Sequence, residues 1–563
     1  MNLQVVIKKW ALYNAIKYNG KAKIDAVIAK VINEIPEIRK KIKEIIPLAK
    51  KIVEEINNIP LEKQIEILKE IAPELLERKK EEKKELKPLP KAEFGKVVMR
   101  MAPAITGYPH IGHTYAFLLN YLYSEKYKGK FVVRYEDTDP RLAKEEYYDA
   151  WDEFIEIFDL KYSEKRIISK DYMEILYDYG KKMIEKGYAY VCLKPKEEIS
   201  RARKEGIELE DRNRSIEDNL ELFEKMLNNE FKEGEAVVLL KGDMKSENTR
   251  MRDPALFRIV DHPHPLTGEK YIVWPTYDFS NAVCDALQGV THIIRSSEFE
   301  LARELHDFIR KILGFKEIVT IEVSRINIKN NLVSKRKIRK LIEEGKVMGW
   351  DDPRLVTVKG LLRRGIVKET FFEFVKEIGL TKAHPEITFD KIAAINRKIL
   401  DKKTKRIFAV MDPVILKVEN VEGGEAKVPW HPDVDMGYRT IEYGNEFYVP
   451  REALNLKEFR LLHLFNVKVK EVEDNKIIGI KTGEEIIKDM KKLQWVPLNS
   501  KKIEIWIIDD LLKNGEFNEN SLIKKQIPIE NNIDLIKEGE IVQLERIGFA
   551  RKESKNILIL SHK

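Results

Sequence analysis

The stretch KVVMRMAPAITGYPHIGHTYAFLLNYLYSEKYKGKFVVRY, residues 96–135, decides the fold class. It opens with a short apolar run at residues 96–101 and closes with another at residues 130–135. A turn-rich segment and then a helix-like segment, residues 114–126, lie between the two runs. Because a strand, a glycine-containing loop, a helix and a second strand form a βαβ unit, this stretch predicts a parallel sheet.

A second α/β pass supports a domain built in two halves. The strand-like VTHIIR at residues 290–295 precedes the helix-like SSEFELARELHDFIRKILG. Short alternating strands after about residue 405 predict β-barrels, and helical periodicity punctuated by prolines predicts an N-terminal helical array. The predicted boundaries are 1–76 for the helical extension, 77–94 for a charged linker, 95–174 for the first α/β half, 175–270 for an insertion, 271–339 for the second half, 340–403 for a helical subdomain and 404–563 for the β-barrels.

The composition excludes several classes of protein. Of the 563 residues, 43% are hydrophobic and 35% are charged, which supports folded cores and excludes wholesale disorder. No apolar run reaches the roughly 18 residues that a membrane span needs, and two cysteines rule out a disulfide framework. The net charge of +8 is compatible with basic faces for nucleic acid. We expect a cytoplasmic protein without a signal peptide or membrane association.

The motif His110-Ile111-Gly112-His113 predicts a nucleotide site. It lies where the first strand leads into a helix, and a helix N-terminus favours phosphate. Gly112 leaves room for an adenine ring against the backbone, and the imidazoles can donate to phosphate oxygens as charge develops. The alternative is a surface turn that happens to contain histidines.

A second motif, Val333-Ser334-Lys335-Arg336, lies beyond the second half of the predicted sheet. A lysine on a flexible loop near a triphosphate could neutralise the charge that develops on phosphorus. If this motif is considered alone, a solvated basic loop explains the same residues. The support for a functional role comes from the position of the motif after the histidine motif.

Together, the two motifs resemble the signature motifs of class I aminoacyl-tRNA synthetases. The chain is more closely similar to the glutamyl and glutaminyl members over about residues 96–370, and its tail resembles the β-barrel anticodon domain of the archaeal and eukaryotic type. The stretches that carry this resemblance are RYEDTDP at 134–140, WPTYDF at 274–279, GVTH at 289–292, GWDDPR at 349–354, GLLRRG at 360–365, MDPVILKVEN at 411–420 and HPDVDMGYRTIEYGNEFYV at 431–449.

The resemblance to glutamyl-tRNA synthetases implies a fold and an activity. The α/β halves would form a Rossmann-type catalytic domain, the insertion would bind the acceptor stem, and the barrels would bind the anticodon. The activity would be ATP-dependent ligation of L-glutamate to the 3′-terminal adenosine of tRNA(Glu) through a glutamyl-adenylate, with tRNA required for the first step too. ATP would enter with Mg²⁺, no zinc is expected, and a monomer is expected. Whether tRNA(Gln) is also charged is left open.

The resemblance also assigns roles to particular residues. The residues implied to bind ATP are His110, Gly112, His113, Ser334, Lys335 and Arg336. The residues implied to be catalytic are His110, His113 and Lys335. The residues implied to bind glutamate are Arg100, Glu136, Tyr277, Asn281 and Arg295.

Arg295 distinguishes the glutamyl from the glutaminyl reading. In the glutamyl family the matching position carries an arginine, whereas glutaminyl relatives have a small neutral residue, such as cysteine, at that position. A planar guanidinium can grip the side-chain carboxylate of glutamate with two parallel hydrogen bonds. The alternative is that Arg295 pairs with Glu298 or Glu300 on the following helix.

Two further rivals are a shortened relative that glutamylates a modified nucleoside of tRNA and a non-catalytic tRNA-binding paralogue. The long β-rich tail argues against the first, and the intact motifs argue against the second. His262 and His264 are predicted to be loop residues rather than metal ligands, because they have no fixed third ligand. No metal site is therefore predicted in the chain itself. Trp430, His431 and Tyr438 are predicted either to stack on nucleotides or to pack in a barrel.

Overall fold

The structure is a computed structural model that describes residues 3–18, 20–35, 38, 42–75, 85–383 and 386–563. The chain divides into two compact units, Met1–Glu85 and Leu86–Lys563. Among the described helices, none is both long enough and apolar enough to cross a bilayer.

The first unit is the predicted helical array. Its helices are α1 Leu3–Lys17, α2 Ile24–Glu34, α3 Ile42–Asn57 and α4 Leu61–Ile71. They bury an aliphatic core that includes Leu12, Val27 and Leu68. The prolines do not all separate helices. Pro47 lies inside α3, whereas Pro60 precedes α4, where the missing N–H costs no helical hydrogen bond; Pro36 lies outside the described residues.

The first α/β half contains the predicted βαβ unit. Its elements are β1 Val98–Met101, α5 Ile111–Lys126, β2 Lys130–Tyr135, α6 Glu145–Ile157, β3 Glu164–Ile167, α7 Ile168–Asp171 and α8 Met173–Glu185. The three strands are parallel in the order β1-β2-β3, which confirms the parallel sheet. Helix α5 begins at Ile111, earlier than the predicted residue 114, because His110 caps it.

The insertion is a separate antiparallel sheet. Its elements are β4 Ala189–Cys192, α9 Lys196–Glu205, α10 Ile216–Leu227, β5 Val237–Leu240, β6 Ala255–Ile259 and β7 Val273–Pro275. Strand β7 pairs antiparallel with β6, so this sheet extends past the predicted boundary at residue 270.

The second half contains a two-stranded parallel sheet that lies beside β1. Its elements are α11 Tyr277–Leu287, β8 His292–Ser296, α12 Glu300–Leu313, β9 Val319–Val323 and α13 Lys335–Glu343. Strands β8 and β9 are parallel, and the Thr291 amide donates to the Val98 carbonyl over 3.0 Å. This contact places β8 beside β1, so the strands lie in the spatial order β3-β2-β1-β8-β9. Successive strands are added on one side of β1 in the first half and on its other side in the second half. In open α/β sheets, ligands bind at such a switch point, outside the carboxyl ends of the strands.

The helical subdomain packs on the same core. Its helices are α14 Val358–Arg364, α15 Lys368–Ile378 and α16 Phe389–Leu400. Part of the predicted linker also packs here: Leu89 is buried in this core, and its amide donates to the Tyr127 hydroxyl over 2.9 Å. The part of this predicted linker that includes Leu89 therefore belongs to the folded core, and residues 77–84 of the predicted linker lie outside the described residues.

The tail forms two curled β-sheets, one of seven strands and one of six, and two separate two-stranded sheets. Apolar and polar residues alternate along these strands, and the apolar side chains lie on the buried face. In the strand Pro413–Glu419, for example, Val414, Leu416 and Val418 are buried. The strands are β10 Arg406–Ile407, β11 Pro413–Glu419, β12 Gly424–Pro429, β13 Tyr438–Tyr443, β14 Glu446–Pro450, β15 Glu458–Leu461, β16 Asn466–Glu473, β17 Lys476–Gly483, β18 Lys492–Leu493, β19 Val496–Pro497, β20 Lys501–Ile508, β21 Leu512–Lys513, β22 Glu516–Phe517, β23 Leu522–Ile529, β24 Ile541–Leu544, β25 Gly548–Ser554 and β26 Ile557–His562.

Short segments connect the two edges of each curled sheet. In the seven-stranded sheet, β18 pairs with β15 at one edge, and the next strand, β19, pairs with β14 at the other edge. In the six-stranded sheet, β10 pairs with β24 at one edge, and Ala409, which follows β10, bridges to Ile529 in β23 at the other edge. This pairing protects the edge strands and agrees with the predicted barrels.

Candidate active site

A cavity of about 200 Å³ lies at the switch point between β1 and β8. Its wall includes the start of α5, the start of α11 and the ends of β8 and β9. The predicted site residues that line it are Arg100, His110, Gly112, His113, Tyr277 and Arg295. Residues distant in sequence therefore meet in one cavity.

His110 and His113 have a defined tautomer. The Gly112 amide donates to Nδ1 of His110 over 3.1 Å, and the His110 amide lies 3.3 Å from Nδ1 of His113. An imidazole nitrogen that accepts from an N–H carries no proton, so each ring carries its proton on Nε2. The rings stack with centroids 3.7 Å apart.

Both histidines are neutral. Burial, with the nearby charges of Lys335 and Arg325, lowers the pKa of His110 to about 3. Burial, then proximity to His110 and Lys335, holds the pKa of His113 well below its usual range. Each ring therefore offers a neutral N–H donor, and positive charge in this region comes from lysine and arginine.

Gly112 keeps this corner open. A Cβ at this position would lie 3.0 Å from Cε1 of His110 and 3.4 Å from the Ile326 carbonyl oxygen. A side chain would press on the imidazole and narrow the cavity that both line.

Lys335 reaches the turn after β1. Its Nζ donates to the Thr106 hydroxyl over 3.0 Å. Its stem lies against Gly107, where a Cβ would be 2.7 Å from the lysine Cδ. Lys335 is the first residue of α13 rather than part of a loop; Ser334 precedes the helix, and Arg336 is exposed. Burial lowers the pKa of Lys335 to about 8.

These pKa values predict an asymmetric pH profile for kcat/KM measured against ATP. Lys335 is cationic below its pKa of about 8 and loses its charge as pH rises through that value. Activity should therefore fall above about pH 8, while histidine protonation near pH 6.5 should cause no acidic limb. Steady-state kinetics from pH 5.5 to 9.5 measure both limbs, and Lys335→Arg should move the alkaline limb upward. An alkaline limb unchanged in Lys335→Arg would contradict the assignment.

Arg100, Glu136 and Asn281 meet in a buried polar network. Arg100 Nε donates to Asp285 Oδ1 over 3.0 Å, and its Nη2 donates to Asn281 Oδ1 over 3.2 Å. The Asn281 amide donates to Glu136 Oε1 over 3.3 Å. Arg100 lines the cavity, whereas Glu136 and Asn281 lie in the network behind it.

Asp285 is the centre of this network, and sequence reasoning missed it. It also accepts from Arg134 Nη2 over 2.8 Å, and Arg134 Nε donates to Glu136 over 2.7 Å. The Arg100 and Arg134 guanidiniums hold the pKa of Asp285 well below its usual range, against the effect of burial. Burial outweighs Arg134 at Glu136 and raises its pKa. The available signal was spacing, because Asp285 follows Asn281 by one helical turn in α11.

Arg295 is a buried cation with donors left over. Its Nη1 donates to His306 Nδ1 over 3.2 Å, while Nε and Nη2 have no hydrogen-bond partner among the described residues. The neighbouring carboxylate is Glu322, whose Oε1 lies 3.9 Å from Nη2, rather than Glu298 or Glu300. Two unpaired donors on a buried guanidinium beside the cavity suit a planar carboxylate.

Several residues outside this cavity have structural surroundings. His264 is buried, with Nε2 3.2 Å from the Asp137 carbonyl oxygen, and His262 is exposed. Within the described ranges, no group of three or more His, Cys, Asp or Glu residues could hold a metal ion. Trp430 and His431 are buried, whereas Tyr438 is 60% exposed. Of these three, Tyr438 is therefore the one available for stacking on a nucleotide.

The chain matches known synthetases along its length. Residues 96–402 match the family described as tRNA synthetases class I (E and Q), catalytic domain, and residues 404–483 and 492–553 match the anti-codon binding domains of the same synthetases. The chain is 42% identical to the glutamate–tRNA ligase of Pyrococcus furiosus over 100% of both chains, and 39% identical to that of Nitrosopumilus maritimus over 99% of both. A crystal structure of glutamate-tRNA synthetase from Elizabethkingia anophelis covers 54% of this chain and 70% of that chain at 19% identity; its TM-score of 0.39 adds nothing to the assignment.

These matches and the parallel-sheet cavity define a class I aminoacyl-tRNA synthetase of the glutamate and glutamine group, a class that uses ATP. The full-length relatives narrow the group: the chain belongs to the glutamate–tRNA ligase family and ligates glutamate to tRNA. The same relatives align over the N-terminal helices as well as the tail, which excludes the shortened relative.

Proposed function

We propose that the protein forms a glutamyl-adenylate in the cavity at the switch point and then transfers glutamate to the terminal adenosine of tRNA(Glu). A glutamate α-carboxylate oxygen attacks the α-phosphorus of ATP, which enters as its Mg²⁺ complex. The bond from the α-phosphorus to the bridging oxygen breaks, and pyrophosphate leaves. The tRNA hydroxyl then attacks the adenylate carbonyl, and AMP leaves. The observation that carries this proposal is the convergence of the histidine motif, Arg100 and Arg295 at one cavity. Lys335 of the second motif contacts Thr106 in the turn after β1, close to that cavity in the chain.

The charges at the site suit the first step. Neutral His110 and His113 can donate from Nε2 to phosphate oxygens, and Lys335 supplies the positive charge that matters most as charge develops. No side chain acts as a nucleophile, so the protein contributes position and electrostatics.

For glutamate, we assign the α-carboxylate to Arg100 and the side-chain carboxylate to Arg295, with Tyr277 between them on the cavity wall. Glu136 and Asn281 support this arrangement through their network with Arg100. Burial of the two guanidiniums strengthens their attraction for carboxylates.

Trapping the intermediate tests this proposal. The full chain is mixed with glutamate, ATP labelled at the α-phosphate and tRNA(Glu) whose 3′ ribose has been oxidised with periodate, so that transfer is blocked. We expect labelled glutamyl-adenylate to accumulate to about one per active site. Absence of labelled adenylate, while untreated tRNA is charged normally, would contradict the adenylate route.

We further propose that the curled sheets of the tail read the anticodon. Truncating the tail is a poor test, because the tail supports the helical subdomain: Asn396 contacts His562 over 3.0 Å, and Arg364 donates to the Ser561 carbonyl over 3.0 Å. Substitution in the tRNA leaves these contacts intact.

Substituting one anticodon base of tRNA(Glu) should lower kcat/KM for charging by roughly 10–100-fold, the scale of one lost base contact. A transcript with a compensated base-pair swap in a stem is the matched control. Equal charging of the two transcripts would contradict anticodon reading by the full-length enzyme. Parallel assays with tRNA(Gln) measure the tRNA range. We also propose that the enzyme acts as a monomer.

A further inference from the structure

Arg295 has an unusual set of neighbours for a buried cation. Its only hydrogen-bond acceptor among the described residues is a histidine nitrogen, Nδ1 of His306, at 3.2 Å. The nearest carboxylate, Glu322, lies 3.9 Å away, beyond hydrogen-bond distance, and its Oε1 is also without a hydrogen-bond partner. The guanidinium is therefore hydrogen-bonded only to a neutral group, and its nearest carboxylate forms a long ion pair without a hydrogen bond.

The tautomer of His306 follows from its two partners. Arginine only donates, so Nδ1 of His306 must accept and carry no proton. The proton lies on Nε2, which donates to Asp278 Oδ1 over 2.9 Å. The ring is 1% exposed, and burial lowers its pKa. A protonated ring would direct a second N–H at Arg295, which the geometry does not accommodate.

Asp278 is itself anchored. Arg250 of the insertion donates to both of its carboxylate oxygens over 3.0 and 3.3 Å. Asp278 also lies in the first turn of α11, next to Tyr277 on the cavity wall. A continuous chain thus runs from Arg250 through Asp278 and His306 to Arg295.

We propose that His306 is a positioning residue for glutamate selection: it accepts from Nη1 of Arg295 and so fixes the orientation of this guanidinium at the cavity wall, where the substrate carboxylate would bind. The inference rests on the proposed role of Arg295 in holding that carboxylate. Histidine suits the task because a neutral acceptor orients the guanidinium without neutralising it. A carboxylate at the same place would occupy the charge that the substrate needs.

Two variants separate the two hydrogen bonds of His306, the one to Arg295 and the one to Asp278. His306→Asn retains an acceptor near the Nδ1 position and loses the donor to Asp278. His306→Gln retains a donor near the Nε2 position and loses the acceptor to Arg295. Both are neutral and polar, so each is the matched control for the other.

With the full-length enzyme, glutamate, ATP and tRNA(Glu), we expect His306→Gln to raise the KM for glutamate by roughly 10–100-fold, the scale of a lost hydrogen bond to a charged group. The KM for ATP should change less than about twofold, and His306→Asn should stay within about threefold of the wild type for both substrates. Equal effects of the two variants, or equal effects on the two KM values, would overturn the positioning role, since a merely structural histidine predicts both.

Arg295→Cys, measured alongside, separates the two claims. If this variant loses glutamate binding while His306→Gln retains it, the positioning role fails and the proposed pocket stands. If Arg295→Cys itself retains the wild-type KM for glutamate, the proposed pocket fails, and the inference fails with it.

Discussion

Replacing Lys335 by alanine should lower kcat by roughly 10²–10³-fold, the scale of one lost transition-state donor. The Lys335 ammonium reaches the turn after β1, and the charge on the phosphates grows as pyrophosphate departs. An interaction that strengthens in the transition state raises kcat, so the KM for ATP should change much less. Steady-state charging and single-turnover adenylate formation measure both effects.

A second variant separates charge from packing. Because the Lys335 stem lies against Gly107, alanine also removes a packed side chain. Lys335→Met keeps most of the stem and removes the charge, so it should lose activity to the same extent. Lys337→Ala, an exposed change on the same helix, is the control. Near-normal adenylate formation by Lys335→Met would remove Lys335 from the proposed mechanism.

Replacing Arg295 by cysteine should abolish most of the preference for glutamate over glutamine. A site built around such a polar pairing can reject the wrong partner by about 10⁴–10⁵-fold. In the wild type, the amide NH₂ of glutamine would face the free donors of Arg295 and leave a buried cation poorly compensated. In the variant, use of glutamate should fall strongly and use of glutamine should rise slightly.

The measurement is kcat/KM for each amino acid in wild type and variant. Arg303→Gln is the matched control, because Arg303 also approaches Glu322, at 3.7 Å, but is half exposed. Wild-type enzyme that uses glutamine as well as glutamate, or a variant that keeps the full preference, would contradict this assignment of the pocket.

Local patterns predicted much of the fold. The parallel sheet followed from two apolar runs around a helix, and the tail followed from alternation, because each of these signals lies within a few consecutive residues. The predicted first residue of α5, residue 114, lies after the observed one, Ile111, because histidine is an uncommon N-cap residue. In the structure the His110 ring nevertheless caps the helix by accepting a hydrogen bond from the Gly112 amide. Leu89 was assigned to a linker because the residues around it are mostly charged, and a single apolar residue among them gives no pattern that indicates burial.

The site was predictable where a motif is contiguous and less so where it depends on long-range packing. His110, Gly112, His113 and Lys335 belong to short motifs. Asp285 meets Arg100 across 185 residues of sequence, and no local pattern connects them. His306 lies on the amphipathic helix α12, where one buried position resembles another until its ring is seen between Arg295 and Asp278.

ATP–pyrophosphate exchange by the full chain with glutamate or glutamine, each with and without tRNA(Glu), tests most directly whether this cavity activates glutamate. We expect rapid exchange with glutamate when tRNA(Glu) is present, little exchange without tRNA, and at most background exchange with glutamine. Exchange with glutamine that equals exchange with glutamate, or no exchange with any combination, would contradict the claim that this cavity activates glutamate as an adenylate.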